Sequence, residues 1–218
     1  MMRFLSRFFS RVRISYGITV CNEAAELDRL LAVLTAERHK HDEIIVLQDV
    51  TNRSIEVSKV ISKYQEKIIV KESLLQGDFA TFKNSLIDLA AGNFLFQIDA
   101  DEVPQLALLR QLKSILRRKY KYDCFLVPRI NIVNGISADH IKEWNWNLDE
   151  ENRVNFPDYQ SRIFRLNGKI SWKNKVHEEL SGWERQYYFP IKNDDFCLLH
   201  VKGIEKQITQ NEFYKHLS

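Results

Sequence analysis

Gly92-Asn93-Phe94-Leu95-Phe96-Gln97-Ile98-Asp99-Ala100-Asp101-Glu102 is the stretch whose reading decides the fold. The apolar run from Phe94 to Ile98 reads as a buried strand. It ends in a cluster of carboxylates. Side chains alternate along an extended chain, so Asp99 and Asp101 point the same way, with small Ala100 between them. Like charges side by side repel unless a cation or hydrogen-bond donors sit with them. Mg²⁺ and Mn²⁺ favour carboxylate oxygens, with substrate phosphates completing the shell. Ligands of open α/β sheets bind at the carboxyl ends of strands. The stretch therefore suggests a metal–phosphate site. The same residues also fit a solvated acidic turn before a helix that begins near Pro104.

Working outward, the preceding chain alternates between two periods. Ile14 to Val20, Glu43 to Leu47 and Lys67 to Val70 read as strands. Helices are expected at Ala24 to Glu37, from Asn52 or Ser54 to Lys63, and at Asp78 to Ala91 with Gly92 as its stop. Asn22 stands where a cap of the first helix belongs. This βαβαβαβ order predicts a mainly parallel sheet covered by helices on both faces. The polar strand ends at Asn22, Asp49 and Asp99 then share one rim.

The second half is less regular. Pro104 to Lys119 reads as a basic amphipathic helix, and Asp123 to Ile132 as a strand. Asn134 to Phe156, bearing Trp144 and Trp146, reads as a long loop. Tyr159 to Arg165, a turn at Asn167-Gly168 and Ile170 to Trp172 look like a hairpin. Phe196 to Val201 and Glu205 to Leu217 supply a last strand and helix. No linker divides the chain. One domain is expected over residues 14–218, with a nucleotide-binding half (14–103) and an acceptor and catalytic half (104–218).

Composition narrows the class. The 218 residues are 44% hydrophobic and 28% charged, an ordinary globular balance. A net charge of +3 gives no case for nucleic acid. The three cysteines, Cys21, Cys124 and Cys197, form no CxxC pair, which fits a reducing cytoplasm and neither zinc nor a disulfide framework. No apolar run reaches transmembrane length. Residues 1–13 read either as a basic amphipathic segment, giving peripheral contact with the membrane inner face, or as a tail packed on the domain.

Four segments resemble family 2 of the GT-A glycosyltransferases: Thr19-Val20-Cys21-Asn22-Glu23, Ile44 to Thr51, Lys83-Asn84 through Glu102, and Arg162-Ile163-Phe164-Arg165 with Val176-His177-Glu178. The last, with His200-Val201-Lys202 and the Gln207, Gln210, Asn211 and Tyr214 pattern, is similar to the branch holding lipopolysaccharide-core glucosyltransferases and phage or capsule relatives. Cys21 stands where the family has Tyr, Gln48-Asp49-Val50 where it has an acidic pair and glycine, and Lys83 where Arg is common. The resemblance implies a GT-A fold and a metal-dependent inverting transfer of a hexose. The donor would be a nucleotide-diphosphate sugar, UDP-linked by preference, and the acceptor a hydroxyl of a glycan, a lipid-linked molecule or a protein.

It also implies roles. Asp101 and His200 would hold Mn²⁺ or Mg²⁺, with Asp99 on the ribose or on the metal through water. Thr19, Asn22, Glu23, Asp49 and Lys83 would line the nucleotide, and Lys202 the phosphates. Glu178 is expected as general base, with His177 as the alternative. Trp144, Trp146 and Arg162 are candidate acceptor contacts. Arg162 and Arg165 lie on opposite strand faces, so at most one of them easily reaches the site. Competing readings are a haloacid-dehalogenase-type phosphohydrolase, which also places Asp-x-Asp after a strand, a nucleotidyltransferase, and a catalytically silent module keeping the fold.

Overall fold

The computed structural model describes residues 11–217, with side chains through Glu212. The amphipathic segment expected at residues 1–13 lies, apart from its last three positions, outside the described residues. The elements are β1 (Ile14–Val20), α1 (Ala24–Glu37), β2 (Glu43–Asp49), α2 (Ile55–Tyr64), β3 (Ile69–Ser73), α3 (Phe79–Leu89), β4 (Phe94–Asp99), β5 (Glu102–Pro104), α4 (Leu106–Arg118), β6 (Cys124–Asn134) and α5 (Ala138–Glu143). There follow β7 (Val154–Arg165), β8 (Ser171–Lys173), β9 (Glu179–Ser181), β10 (Gln186–Tyr188), β11 (Leu198–Gly203) and α6 (Ile204–Leu217).

A nine-stranded sheet joins both halves of the chain in the order β3-β2-β1-β4-β7-β6-β11-β5, with β10 added to β6. Strands β1 to β4 are mutually parallel. β7 runs antiparallel to both β4 and β6, so β6 and its parallel neighbour β11 point the same way as β4. The carboxyl ends of β1, β2, β4, β6 and β11 thus lie on one rim.

Strand alternation sorts the core into two layers. Ile14, Tyr16, Ile18, Ile44, Val46, Phe94, Phe96 and Ile98 pack with the apolar stripes of α1, α2 and α4. Ile45, Leu47 and Leu95 face the other way, against Phe82 and Leu86 of α3 and Trp172 and Leu180 of the β8–β9 ribbon. Helices therefore cover both faces, as the pattern predicts. Burial of these side chains is the main term holding the rim in place.

Four local expectations are corrected. Asn22 does not cap α1; Glu23 holds that position, without a side-chain cap bond. Ser54 caps α2 through Val57 N at 3.2 Å, and Asp78 caps α3 through Thr81 N at 2.9 Å. Gly92 is not the helix stop, since α3 ends at Leu89 with Ala90 as its cap. Its role is close approach: a Cβ there would lie 2.7–2.9 Å from Ser15 Oγ, Arg13 O and Ser15 N. The stretch from Asn134 to Phe156 is not loop throughout, because Ser137 and His140 form a capping box that starts α5.

The expected hairpin of β7 with the segment ending at Trp172 does not form. Both edges of β7 are already filled by β4 and β6. The chain still turns at Asn167-Gly168, where Gly168 has φ +74°, but β8 pairs with β9 in a separate two-stranded ribbon.

Candidate active site

At the shared rim a cleft of about 390 Å³ is lined by Thr19, Glu23, Asp49, Lys83, Asp99, Asp101, Arg129, Arg162, Trp172, Glu178 and His200, among others. A larger hollow, about 720 Å³, lies around Asn93, Tyr122 and Arg165 at the opposite ends of the strands. It lacks the acidic cluster and stands at the edge that α/β sheets do not use for ligands.

Asp99, at the end of β4, is surrounded by donors. Thr19 Oγ1 donates to it at 2.8 Å, Arg162 Nη2 at 2.5 Å, and Lys83 Nζ stands 3.9 Å away. Burial pushes this carboxyl up, but the Arg162 and Lys83 charges outweigh it and hold Asp99 well below the usual carboxylate range. Asp101 is likewise held low. Burial again acts upward, and the hydrogen bond and charge of His200 overcome it.

Glu102, fully buried, accepts from Arg162 and from Arg129, the latter at 3.0 Å. It is the counter-charge beneath the cleft floor. Arg162 is the arginine of its strand that reaches the site. Arg165 turns away, donating to Tyr120 O and lying over the Phe94 ring. Arg162 is 3% exposed and wedged between Asp99 and Glu102, so it supports the floor rather than offering a free surface to an acceptor.

Asp101 Oδ2 lies 3.3 Å from His200 Nε2 and 3.3 Å from Lys206 Nζ. Among the described residues no three His, Cys, Asp or Glu side chains converge as a metal cage. Asp101 and His200 are the pair whose donor atoms meet. Lys202 is half-buried, donates to Gln210 at 2.7 Å and does not line the cleft; burial pulls its ammonium down to about 8.

Glu178 enters the cleft from the loop before β9. Its Oε1 accepts from Lys83 Nζ at 2.6 Å, and the same ammonium lies 4.9 Å from the Trp172 ring centroid. Trp172 is fixed twice: its indole N–H donates to Gln97 at 2.8 Å, and Asn84 pairs with its backbone N and O at 2.8 and 3.0 Å. His177 is exposed, has φ +54° and does not line the cleft.

Thr19, Glu23 and Asp49 line the cleft; Asn22 is exposed beside it. Glu23 Oε2 accepts from the backbone N–H groups of Cys21 and Asn22 at 2.9 and 3.0 Å, which shapes the turn after β1. Asp49 holds the turn after β2 through Thr51 and Leu75. Burial, with Asp49 and Glu23 nearby, pushes the Cys21 thiol up to about 11, so it is not a thiolate nucleophile. Trp144 and Trp146 lie outside the cleft. They form an aromatic cluster with His140, at 4.9 and 4.8 Å between successive ring centroids, in the segment that leaves the site rim after β6.

Sequence reading missed Arg129, Asn131 and Asp158. Arg129 and Asn131 sit two apart in an otherwise apolar strand, which is a signal, and both donate to Asp158. Burial pushes the Asp158 carboxyl up, but Arg129 and the hydrogen bonds of Asn131, Arg129 and Gln160 hold it below its usual value. Its contribution to stability is then complete above the unfolded pKa, about 3.9, and is lost as pH falls through the lower folded value. The urea-midpoint gap between wild type and Asp158→Asn should therefore be full at pH 7 and shrink on acidification below about pH 4.

Residues 15–182 match the model of glycosyl transferase family 2. The chain belongs to that family, and its mostly parallel sheet flanked by helices is the GT-A fold. Membership sets aside the phosphohydrolase and nucleotidyltransferase readings. Among curated relatives it is similar to the SPbeta prophage-derived glycosyltransferase SunS of Bacillus subtilis (strain 168) and to glycosyltransferase SunS of Bacillus phage SPbeta. Each is 27% identical over 179 residues, covering 81% of this chain and 36% of the relative. The chain thus spans about a third of the length of the relatives it matches.

Among solved structures, S. aureus TarS 1–349 in complex with UDP-GlcNAc superimposes with a TM-score of 0.59 at 17% identity, over 87% of this chain and 58% of that one. Its complex with UDP gives 0.59 at 15%, over 90% and 62%. At that identity the likeness is one of fold.

Proposed function

We propose that this protein is a metal-dependent, inverting glycosyltransferase. It moves a hexose from a nucleotide-diphosphate sugar to a hydroxyl of a glycan, a lipid-linked molecule or a protein. The observation that carries the reading is the convergence of Asp101, His200 and Glu178 on one cleft at the rim of β1, β2 and β4. A UDP-linked donor is supported by the UDP-GlcNAc complex of TarS. The three free cysteines, two of them buried, support a cytoplasmic location. No helix among the described residues is long and apolar enough to cross a membrane; peripheral contact through residues 1–13 remains a separate proposal.

Asp101 and His200 suit Mn²⁺ or Mg²⁺. Such ions take one or two protein ligands and complete their shell with substrate phosphates and water, which matches a converging pair rather than a cage. Bound there, the ion supplies Lewis-acid stabilisation of the departing diphosphate. Asp99, tied to Thr19, Arg162 and Lys83, is left for the ribose or an indirect metal contact. Thr19, Glu23 and Asp49 line the nucleotide. Glu178 takes the proton of the acceptor hydroxyl as it attacks the sugar carbon opposite the leaving diphosphate, and Lys83 orients the Glu178 carboxylate through Oε1. The Trp144–Trp146 cluster offers an apolar face to the acceptor.

A thermal-shift panel of UDP, GDP, dTDP and CMP, each with and without Mn²⁺, tests the reading. At a concentration of 100 Kd the preferred nucleotide with Mn²⁺ should add about 2.7 kcal/mol, or roughly 5–10 °C in Tm. Protection by none of them would contradict it.

A further inference from the structure

A closed run of hydrogen bonds and ion pairs links the two aspartates of the Asp99–Asp101 turn through the second half of the chain. From Asp99 it passes through Arg162, Glu102, Arg129, Asp158, Asn131 and His200, and returns to Asp101. Its last links fix the state of the histidine ring.

Asp158 is an ionised carboxylate and can only accept. Its Oδ2 accepts from Arg129 Nε and Nη2 at 2.9 and 2.6 Å and from Asn131 Nδ2 at 2.8 Å. Its Oδ1 accepts from Gln160 at 2.6 Å. Turning the Asn131 amide over would set two oxygens against each other beside that carboxylate. Asn131 Oδ1 therefore faces His200, 2.7 Å from Nδ1. An amide oxygen only accepts, so Nδ1 carries hydrogen. In the protonated ring Nε2–H faces Asp101 Oδ2 at 3.3 Å and closes the run; in the neutral ring the hydrogen that stays is the one on Nδ1, and the free lone pair is at Nε2.

We infer that Asn131 and Asp158 are positioning residues that hold His200 as its Nδ1–H tautomer, so that Nε2 and Asp101 together receive a divalent cation. This rests on the metal reading above. Neither residue lines the cleft, so both act through His200. Partners of this kind orient a ligand ring and raise its basicity, and losing one typically costs about 10–100-fold in metal affinity.

The test uses the full chain and two probes, Mn²⁺ and UDP. Mn²⁺ affinity is read by EPR, and the tautomer from the ¹⁵N shifts of the His200 ring in metal-free protein at alkaline pH. Wild type should show Nδ1 protonated and Nε2 bare. Asn131→Leu should lose that preference and weaken Mn²⁺ binding by about 10–100-fold, while metal-free UDP binding stays unchanged. Should Asn131→Leu fail to fold, Asp158→Ala, which removes the acceptor that orients the Asn131 amide, makes the same comparison: it should loosen the tautomer preference and weaken Mn²⁺ binding in the same direction.

Wild-type tautomer and Mn²⁺ affinity in Asn131→Leu, with His200→Ala losing Mn²⁺, would overturn the positioning role and leave the metal reading standing. Unchanged Mn²⁺ affinity in His200→Ala would overturn both.

Discussion

Replacing Glu178 with Gln should leave donor binding intact and lower the transfer rate by about 10²–10⁴-fold, the range that a positioned general base supplies. The change is isosteric. A Gln amide oxygen can still accept from Lys83, as Glu178 Oε1 does at 2.6 Å, so the loop before β9 keeps its anchor. What is lost is the capacity to take a proton. The loss should appear in kcat with little change in donor KM, because the nucleotide-lining residues on β1, β2 and β4 are untouched. His177→Gln should stay close to wild type, since that ring is exposed and outside the cleft. Steady-state transfer kinetics with a competent acceptor provide the check. Wild-type turnover in Glu178→Gln would remove the base assignment.

Arg162→Met should destabilise the protein by up to about 3–5 kcal/mol, the cost of breaking a buried ion pair. Arg162 is 3% exposed and bridges Asp99 and fully buried Glu102. Methionine fills much of the volume, so the penalty falls on the two carboxylates, Asp99 left with Thr19 and Lys83 and Glu102 with Arg129. Adding Glu102→Gln should recover part of the loss, because one of those charges is then gone. Arg162→Lys should not substitute fully, as an ammonium lacks the planar fork. Urea unfolding reads all of these. A shift of Arg162→Met within about 0.5 kcal/mol of wild type, the scale of surface changes, would mean that the floor does not depend on this ion pair.

The fold was legible where one local pattern dominates. Near-continuous apolar strands alternating with helices and closed by Asn22, Asp49 and Asp99 point to a parallel sheet, and the rim followed from that. The carboxylate cluster announced itself because three acids end a buried strand. Glu178 was visible only through family resemblance. It lies in an irregular loop, 95 residues from the Lys83 that holds it.

Arg129, Asn131 and Asp158 escaped notice for a different reason. Their meaning depends on the antiparallel register of β6 and β7, which shifts between Arg129 and Asn131, and no spacing in the sequence encodes that shift. The hairpin expectation failed on the same link. Asn167-Gly168 does mark a turn, but which strand the next segment joins is settled by which edges are free. Gly92 shows the reverse case. The sequence places Gly92 at a helix stop, but its demand comes from the backbone of Arg13 and Ser15, remote in sequence.

The central claim is that Asp101 is the metal-bearing carboxylate of a nucleotide-diphosphate site. Calorimetric titration of UDP into wild type and Asp101→Ala, with Mn²⁺ and with chelator, tests it most directly. The account predicts that Mn²⁺ tightens UDP binding to wild type, that chelator removes this gain, and that Asp101→Ala shows no Mn²⁺-dependent component. Binding of UDP with Mn²⁺ to Asp101→Ala at wild-type affinity would contradict it.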